Sequence, residues 1–187
     1  PNLFVKIPGT PAGIIAIEAA IFAGVPINVT LLFSPTQYVA AAEAYMRGIE
    51  RRLAAGLSPL VESVASVFIS RWDRAVNDRV RADLQQRLGI AIGQRTYRCY
   101  QEVLASPRWR QLTDAGAHPQ RLLWASTGTK EPQVSPTLYV AALAAPATIN
   151  TMPEKTLRAF AAHGTIHGLL AANGDTADTA LARFTAA

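Results

Sequence analysis

The sequence predicts an α/β fold built on a parallel sheet, and three observations carry that prediction. Short apolar runs rich in Val, Ile and Leu alternate with longer segments of helical period. The first two runs are separated by one helix-length segment, which is a crossover rather than a hairpin and implies parallel pairing with a right-handed connection. The third observation is a parity. Counting by twos, Lys6, Asn28, Thr30 and Ser66 fall on one face of successive strands, whereas Leu3, Val5, Ile7, Ile27, Val29, Leu31, Ala65 and Val67 fall on the other.

The first predicted strand is Leu3–Ile7. It stops at Pro8-Gly9, and Thr10 is placed to cap a helix from Pro11 to about Ala23, with Pro11 at its first position. Ile14, Ile15, Ile17, Ala20 and Ile21 form its apolar stripe, and Gly24 ends it. Ile27–Phe33 is the second strand. Ser34 caps a helix from Pro35 to about Ala54, with Tyr38, Val39, Ala42, Tyr45 and Met46 facing inward, and Gly56-Leu57-Ser58-Pro59 breaks it. Val61–Ile69 is the third strand. A charged, mostly helical stretch from Ser70 to Leu88 and a helix from about Ile90 to Ser106 make the next crossover long enough for an active-site insertion. Arg121–Ser126 is the fourth strand, Leu138–Ala144 a short helix, Ala147–Thr151 the fifth strand and Pro153–His163 a helix. The tail from Asp175 to Ala187 completes the pattern with one more helix. Five strand–helix units in a single domain, residues 1–187, suit part of a β/α barrel. A polar row on one strand face belongs inside such a barrel near its catalytic rim, and is harder to satisfy in an open sheet covered on both faces.

Composition excludes several classes. Half of the 187 residues are hydrophobic, enough for a sizeable core, yet no apolar run approaches the ~20 residues of a membrane helix. No membrane partner is expected. The single cysteine, Cys99, cannot form an internal disulfide, which fits a reducing, cytoplasmic setting. The net charge of +5 favours anionic partners, but the arginines from Arg47 to Arg110 recur at the spacing of solvated helix faces, so no nucleic-acid role is expected. His118, His163 and His167 lack the spacing or acidic company of a metal site. The chain opens on Pro1 and enters a strand within two residues, the look of a cut chain.

Chemistry concentrates on Lys6. A lysine in an apolar strand is either a strand-end side chain reaching solvent or an amine in a dry pocket, where burial disfavours its charged form and allows attack on a carbonyl. Asn28 and Thr30, on the next strand, are placed either as satisfied interior groups or as hydrogen-bonding partners of a substrate on that amine. Arg71 and Lys130 fall in loops after the third and fourth strands, where with Ser126 and loop amides they are surface charge or a phosphate site. The Gly-containing loop 127–130 is no nucleotide-binding fingerprint.

Five segments together resemble the transaldolase family: Leu3-Phe4-Val5-Lys6-Ile7-Pro8-Gly9-Thr10 with Gly13-Ile14; Ile27-Asn28-Val29-Thr30-Leu31-Leu32-Phe33-Ser34; Ser66-Val67-Phe68-Ile69-Ser70-Arg71-Trp72-Asp73; Leu123-Trp124-Ala125-Ser126-Thr127-Gly128-Thr129-Lys130; and Ile149-Asn150-Thr151-Met152-Pro153. The resemblance runs to about residue 165. It implies a (β/α)8 TIM barrel, of which the five strands here correspond to strands four to eight. It also implies transfer of a dihydroxyacetone unit between a ketose phosphate and an aldose phosphate in the pentose phosphate pathway, without metal or organic cofactor. The implied substrates are fructose 6-phosphate, sedoheptulose 7-phosphate, erythrose 4-phosphate and glyceraldehyde 3-phosphate.

By the same resemblance Lys6 is the Schiff-base nucleophile, Asn28, Thr30 and Ser66 contact the substrate, and Arg71 binds phosphate with Ser126 and Lys130 nearby. The family's pattern is not matched throughout. Ser70 stands where glycine is usual, Val67 where proline is usual, and no segment matches the aspartate and glutamate that the family's first and third strands supply for proton transfer. Asp73 and Glu18, expected on helices, are poor substitutes. The implied expectations are low turnover for this chain alone and a bare edge on the first strand, open to self-association. An aldolase acting on small ketones and a non-catalytic assembly module are the alternatives.

Overall fold

The computed structural model describes residues 2–171 and 176–185. Five strands, β1 (Val5–Pro8), β2 (Ile27–Leu32), β3 (Ser63–Phe68), β4 (Arg121–Ala125) and β5 (Thr148–Asn150), form a parallel sheet in the order β1-β2-β3-β4-β5. Strands that follow one another in space as in sequence have no switch point. That is how a β/α barrel winds, whereas a doubly wound sheet reverses its strand order part-way. The helices are α1 (Pro11–Phe22), α2 (Pro35–Ala54), α3 (Ser70–Val76), α4 (Leu88–Ala105), α5 (Pro107–Asp114), α6 (Leu138–Ala142), α7 (Glu154–His163) and α8 (Ala177–Thr185). The last of these lies within the predicted tail helix; Asp175, Ala186 and Ala187 fall outside the described residues. By internal contacts the chain divides into two compact units, residues 1–67 with 99–122 and residues 68–98 with 123–187.

In the first unit the predicted caps are in place. Thr10 Oγ1 accepts from the Gly13 N–H at 3.1 Å, and Ser34 Oγ accepts from the Gln37 N–H at 3.2 Å, each with proline in the first turn. Ile17 and Ile21 of α1 and Tyr38, Tyr45 and Ile49 of α2 are buried with Ile27 and Val29 of β2. The Tyr45 hydroxyl lies 3.0 Å from the Val61 carbonyl and 2.6 Å from that of His118, so the buried ring keeps its polar tip paired. Arg47 and Arg51 pair with Glu18, and Arg108 with Glu43 and Glu50. These arginines are therefore spent on helix-surface carboxylates, as their spacing predicts.

Helix α5 was not anticipated from the sequence. Its signal is the Ser106-Pro107 pair: Ser106 Oγ accepts from the Trp109 N–H at 3.2 Å, and Trp109 and Leu112 are buried. Trp109 stacks at a tilt on Tyr45, with ring centroids 6.3 Å apart.

Three further expectations are corrected. Ile15, placed on the inward stripe of α1, is 74% exposed, because the helix is apolar nearly all round and only the Gly13, Ile17, Ile21 line is buried. Leu3 and Val5, expected to pack under helices, are 69% and 43% exposed. The strand starts only at Val5, so Leu3 precedes it, and β1 is at the sheet edge, paired among the described residues with β2 alone. The strict parity of β2 fails at Leu31, which has a left-handed backbone (φ 58°) and is exposed, while Leu32 beside it is fully buried. The pairing with β3 shifts between Val29 and Leu32, the signature of a bulge, which reverses which face each later side chain takes.

Gly13 marks a close approach. A Cβ there would lie 1.8 Å from the Pro8 carbonyl oxygen, so only glycine lets the first turn of α1 sit against the end of β1. Gly13→Ala is expected to lower the unfolding free energy by roughly 1–3 kcal/mol, the usual cost of forcing atoms into occupied space. Urea denaturation checks this; a midpoint equal to that of the parent chain contradicts it.

In the second unit the stretch after β3 is less helical than predicted. α3 is followed by two 3-10 turns, Asn77–Arg79 and Ala82–Leu84, and Gln86 takes a left-handed backbone (φ 60°) before α4 begins. The buried Asp73 organises this region. Its Oδ1 accepts from the Leu88 N–H at 2.8 Å and the Gly89 N–H at 3.3 Å, capping the start of α4, and its Oδ2 accepts from the Tyr139 hydroxyl at 2.9 Å.

Candidate active site

The first unit holds four of the predicted site residues, and the register of its sheet brings them side by side. Lys6 is the cross-strand partner of Asn28, and Pro8 of Thr30. In a parallel pair, partnered residues share a face, so the Lys6 amine and the Asn28 amide project to the same side. Ser66 on β3 is buried, and its hydroxyl donates to Asn28 Oδ1 at 2.7 Å. That bond occupies the acceptor end of the amide and turns its two N–H donors toward other acceptors. Thr30 and Asn28 are half-buried. Lys6 itself is exposed, which fits the first of its two alternatives, a strand-end side chain reaching solvent, and not an amine enclosed in a dry pocket. The cause is the position of β1 at the sheet edge, where nothing among the described residues covers the side chain.

The second unit contains a cleft of about 550 Å³ lined by the remaining three predicted residues, Arg71, Ser126 and Lys130. Arg71 is in helix α3 rather than in the predicted loop, and its guanidinium stands 5.0 Å from the Phe68 ring centre. Lys130 is in an irregular loop, as expected. Ser126 has a left-handed backbone (φ 57°), an uncommon and strained state for a residue with a side chain. Its geometry is enforced by its neighbours. The Ser70 N–H donates to the Ser126 carbonyl at 3.0 Å, the Ile69 N–H donates to that of Ala125 at 3.0 Å, and the two serine hydroxyls are 3.0 Å apart. The loop beyond is anchored by buried Thr127, whose hydroxyl lies 2.8 Å from Asn150 Oδ1 and 3.0 Å from the Thr151 carbonyl.

Four residues with polar or charged side chains that sequence reasoning did not assign also line this cleft: Ser70, Arg74, Glu131 and Tyr139. Arg74 had a legible signal, since it is three residues after Arg71 and shares its face once 70–76 is helical. Tyr139 had none, because its place depends on the bond to Asp73. Burial pushes the Asp73 carboxyl above the usual carboxylate range, opposed by its hydrogen bonds from Tyr139, Gly89 and Leu88. The Tyr139 phenol is pushed up as well, first by burial and then by the Asp73 charge. Among the described residues no group of three or more His, Cys, Asp or Glu is placed to hold a metal ion, and no helix is long and apolar enough to cross a membrane.

A sequentially wound parallel sheet of five strands with flanking helices defines an α/β chain, consistent with part of a TIM-type barrel. The family described as transaldolase/fructose-6-phosphate aldolase matches residues 1–186, and the chain belongs to that family. It is 46% identical to a transaldolase of Parafrankia sp. over 99% of this chain and 53% of that one. It is 47% identical to transaldolase 1 of Streptomyces avermitilis and 46% identical to a transaldolase of Thermobifida fusca, in each case over 90% of this chain. The chain spans about half the length of the curated relatives it matches.

Proposed function

We propose that this chain carries the Schiff-base nucleophile and the phosphate site of a transaldolase, transferring a dihydroxyacetone unit between a ketose phosphate and an aldose phosphate. The observation that carries the reading is the row across β1, β2 and β3, in which Lys6 pairs with Asn28 and Ser66 fixes the Asn28 amide. The Lys6 amine, after giving up its proton to water, adds to the ketose carbonyl, and loss of water gives a protonated imine. As the hydroxyl on the carbon beta to the imine loses its proton to water, the bond between the alpha and beta carbons breaks and the imine accepts its electron pair, so an aldose phosphate leaves and an enamine remains. The enamine carbon then attacks an acceptor aldehyde, and hydrolysis frees Lys6. Asn28, Thr30 and Ser66 hold the hydroxyls of the three-carbon unit, while Arg71, Lys130 and Ser126 hold the phosphate.

Fructose 6-phosphate and sedoheptulose 7-phosphate as donors, and erythrose 4-phosphate and glyceraldehyde 3-phosphate as acceptors, fit this chemistry in a cytoplasmic pentose phosphate pathway. The cations of the cleft favour these over the small unphosphorylated ketones of a related aldolase. The exposed edge of β1 is available for self-association.

The test is borohydride reduction in the presence of fructose 6-phosphate, followed by peptide mass spectrometry. A three-carbon or hexose phosphate addition on the peptide containing Lys6 is expected; a folded chain with no addition there overturns the assignment. The hexose phosphate adduct forms before carbon–carbon cleavage, so it is readable even where that proton-transfer step is slow. Ser66→Ala is expected to slow adduct formation by about tenfold, since the Asn28 amide loses the bond that orients it. The trapping rate at saturating fructose 6-phosphate measures this, and an unchanged rate removes Ser66 from the site.

A further inference from the structure

We infer that Arg74 is a second phosphate-binding guanidinium of the cleft and that Glu131 limits the cleft to a single phosphate, an assignment that rests on the proposed function. Arg71 and Arg74 are three residues apart on α3 and both line the cleft. At that spacing their side chains project from one helix face. Both are exposed, and among the described residues neither has a carboxylate partner, in contrast to Arg47, Arg51 and Arg108. Two guanidiniums with no carboxylate partner among the described residues, lining one cleft together with the paired Ser70 and Ser126 hydroxyls, are an arrangement for an anion supplied from outside.

Charge specifies which anion. Arg71, Arg74 and Lys130 contribute three positive charges and Glu131 one negative charge, a balance of +2. A phosphate monoester carries roughly −1.5 to −2 at neutral pH and closes that balance. Without Arg74 the cleft would hold +1 and leave the dianion half neutralised. Glu131 lines the cleft, and its carboxylate accepts from the Lys130 N–H at 3.2 Å. A second phosphate on the same sugar would meet that carboxylate with no cation left to offset it. Arg74 therefore sets affinity for sugar monophosphates, and Glu131 discriminates against bisphosphates.

Calorimetric titration of the full chain with inorganic phosphate, then with pyrophosphate as the probe carrying a second phosphate, tests this. Arg74→Ala is expected to weaken phosphate binding by about tenfold, the scale of one charge-assisted contact. Arg74→Lys is expected to recover part of the loss, since it keeps the charge but not the planar fork. Glu131→Gln is expected to act in the opposite direction and to tighten pyrophosphate more than phosphate, a gain that a damaged fold does not produce. Arg71→Ala serves as the reference. If Arg71→Ala weakens phosphate while Arg74→Ala and Glu131→Gln both stay within twofold of the parent chain, the phosphate cleft stands and the assignment of Arg74 and Glu131 is overturned. If Arg71→Ala has no effect either, the phosphate cleft of the proposed function falls with it.

Discussion

Lys6→Met is expected to abolish the borohydride-trapped adduct and to lower any turnover with fructose 6-phosphate by on the order of 10³-fold or more, the scale of losing a covalent nucleophile. Methionine keeps an unbranched stem of similar reach and removes only the amine. Because Lys6 is exposed on the edge strand, the substitution leaves the β1–β2 pairing intact, and the fold is expected to be unchanged by circular dichroism. Lys6→Arg separates charge from nucleophilicity: the guanidinium stays protonated and cannot add to a carbonyl, so it too should give no adduct. Retention of the adduct on another lysine peptide in either variant would refute Lys6 as the nucleophile. Retained charge with restored adduct in Lys6→Arg would refute the chemistry altogether.

What could be read in the sequence followed from local rules. The Thr10-Pro11 and Ser34-Pro35 pairs located two helix starts, and the alternation of strands and helices located all five strands, because caps and periodicity depend on neighbours in the chain. The alignment of Lys6, Asn28 and Ser66 was legible for the same reason: parallel strands with two-residue parity leave few ways to pair. Parity then failed where a single residue broke its premise. Leu31 in a left-handed backbone shifts the register, and nothing in Thr30-Leu31-Leu32 announces it. Exposure of Leu3, Val5 and Lys6 was equally hidden, since an apolar strand reads alike at the edge and in the middle of a sheet. In the cleft, Arg71, Ser126 and Lys130 could be named from their places after strands, but Tyr139 arrives through one hydrogen bond to Asp73, 66 positions away. Such long-range polar contacts leave no periodic trace.

Asp73→Ala is expected to destabilise the chain by about 2–4 kcal/mol, while Asp73→Asn is expected to cost less than about 1 kcal/mol. Alanine leaves the buried Leu88 and Gly89 N–H groups with no acceptor at the start of α4. Asparagine retains an oxygen for both, and its amide nitrogen can donate to the Tyr139 oxygen while the Tyr139 hydroxyl turns to Gln86 Oε1, 3.1 Å away. The network survives with one bond reversed. The pH dependence distinguishes the two further. Burial raises the folded-state pKa of Asp73 above its unfolded value, so between those two values the native state still holds a proton that the unfolded state has released. Unfolding free energy therefore falls as pH rises through that window. Asp73→Asn removes the titration and should flatten that part of the curve. Urea midpoints across the acid range decide it: equal losses for alanine and asparagine would mean that the charge itself, not the caps and the tyrosine bond, holds α3, α4 and α6 of this unit together.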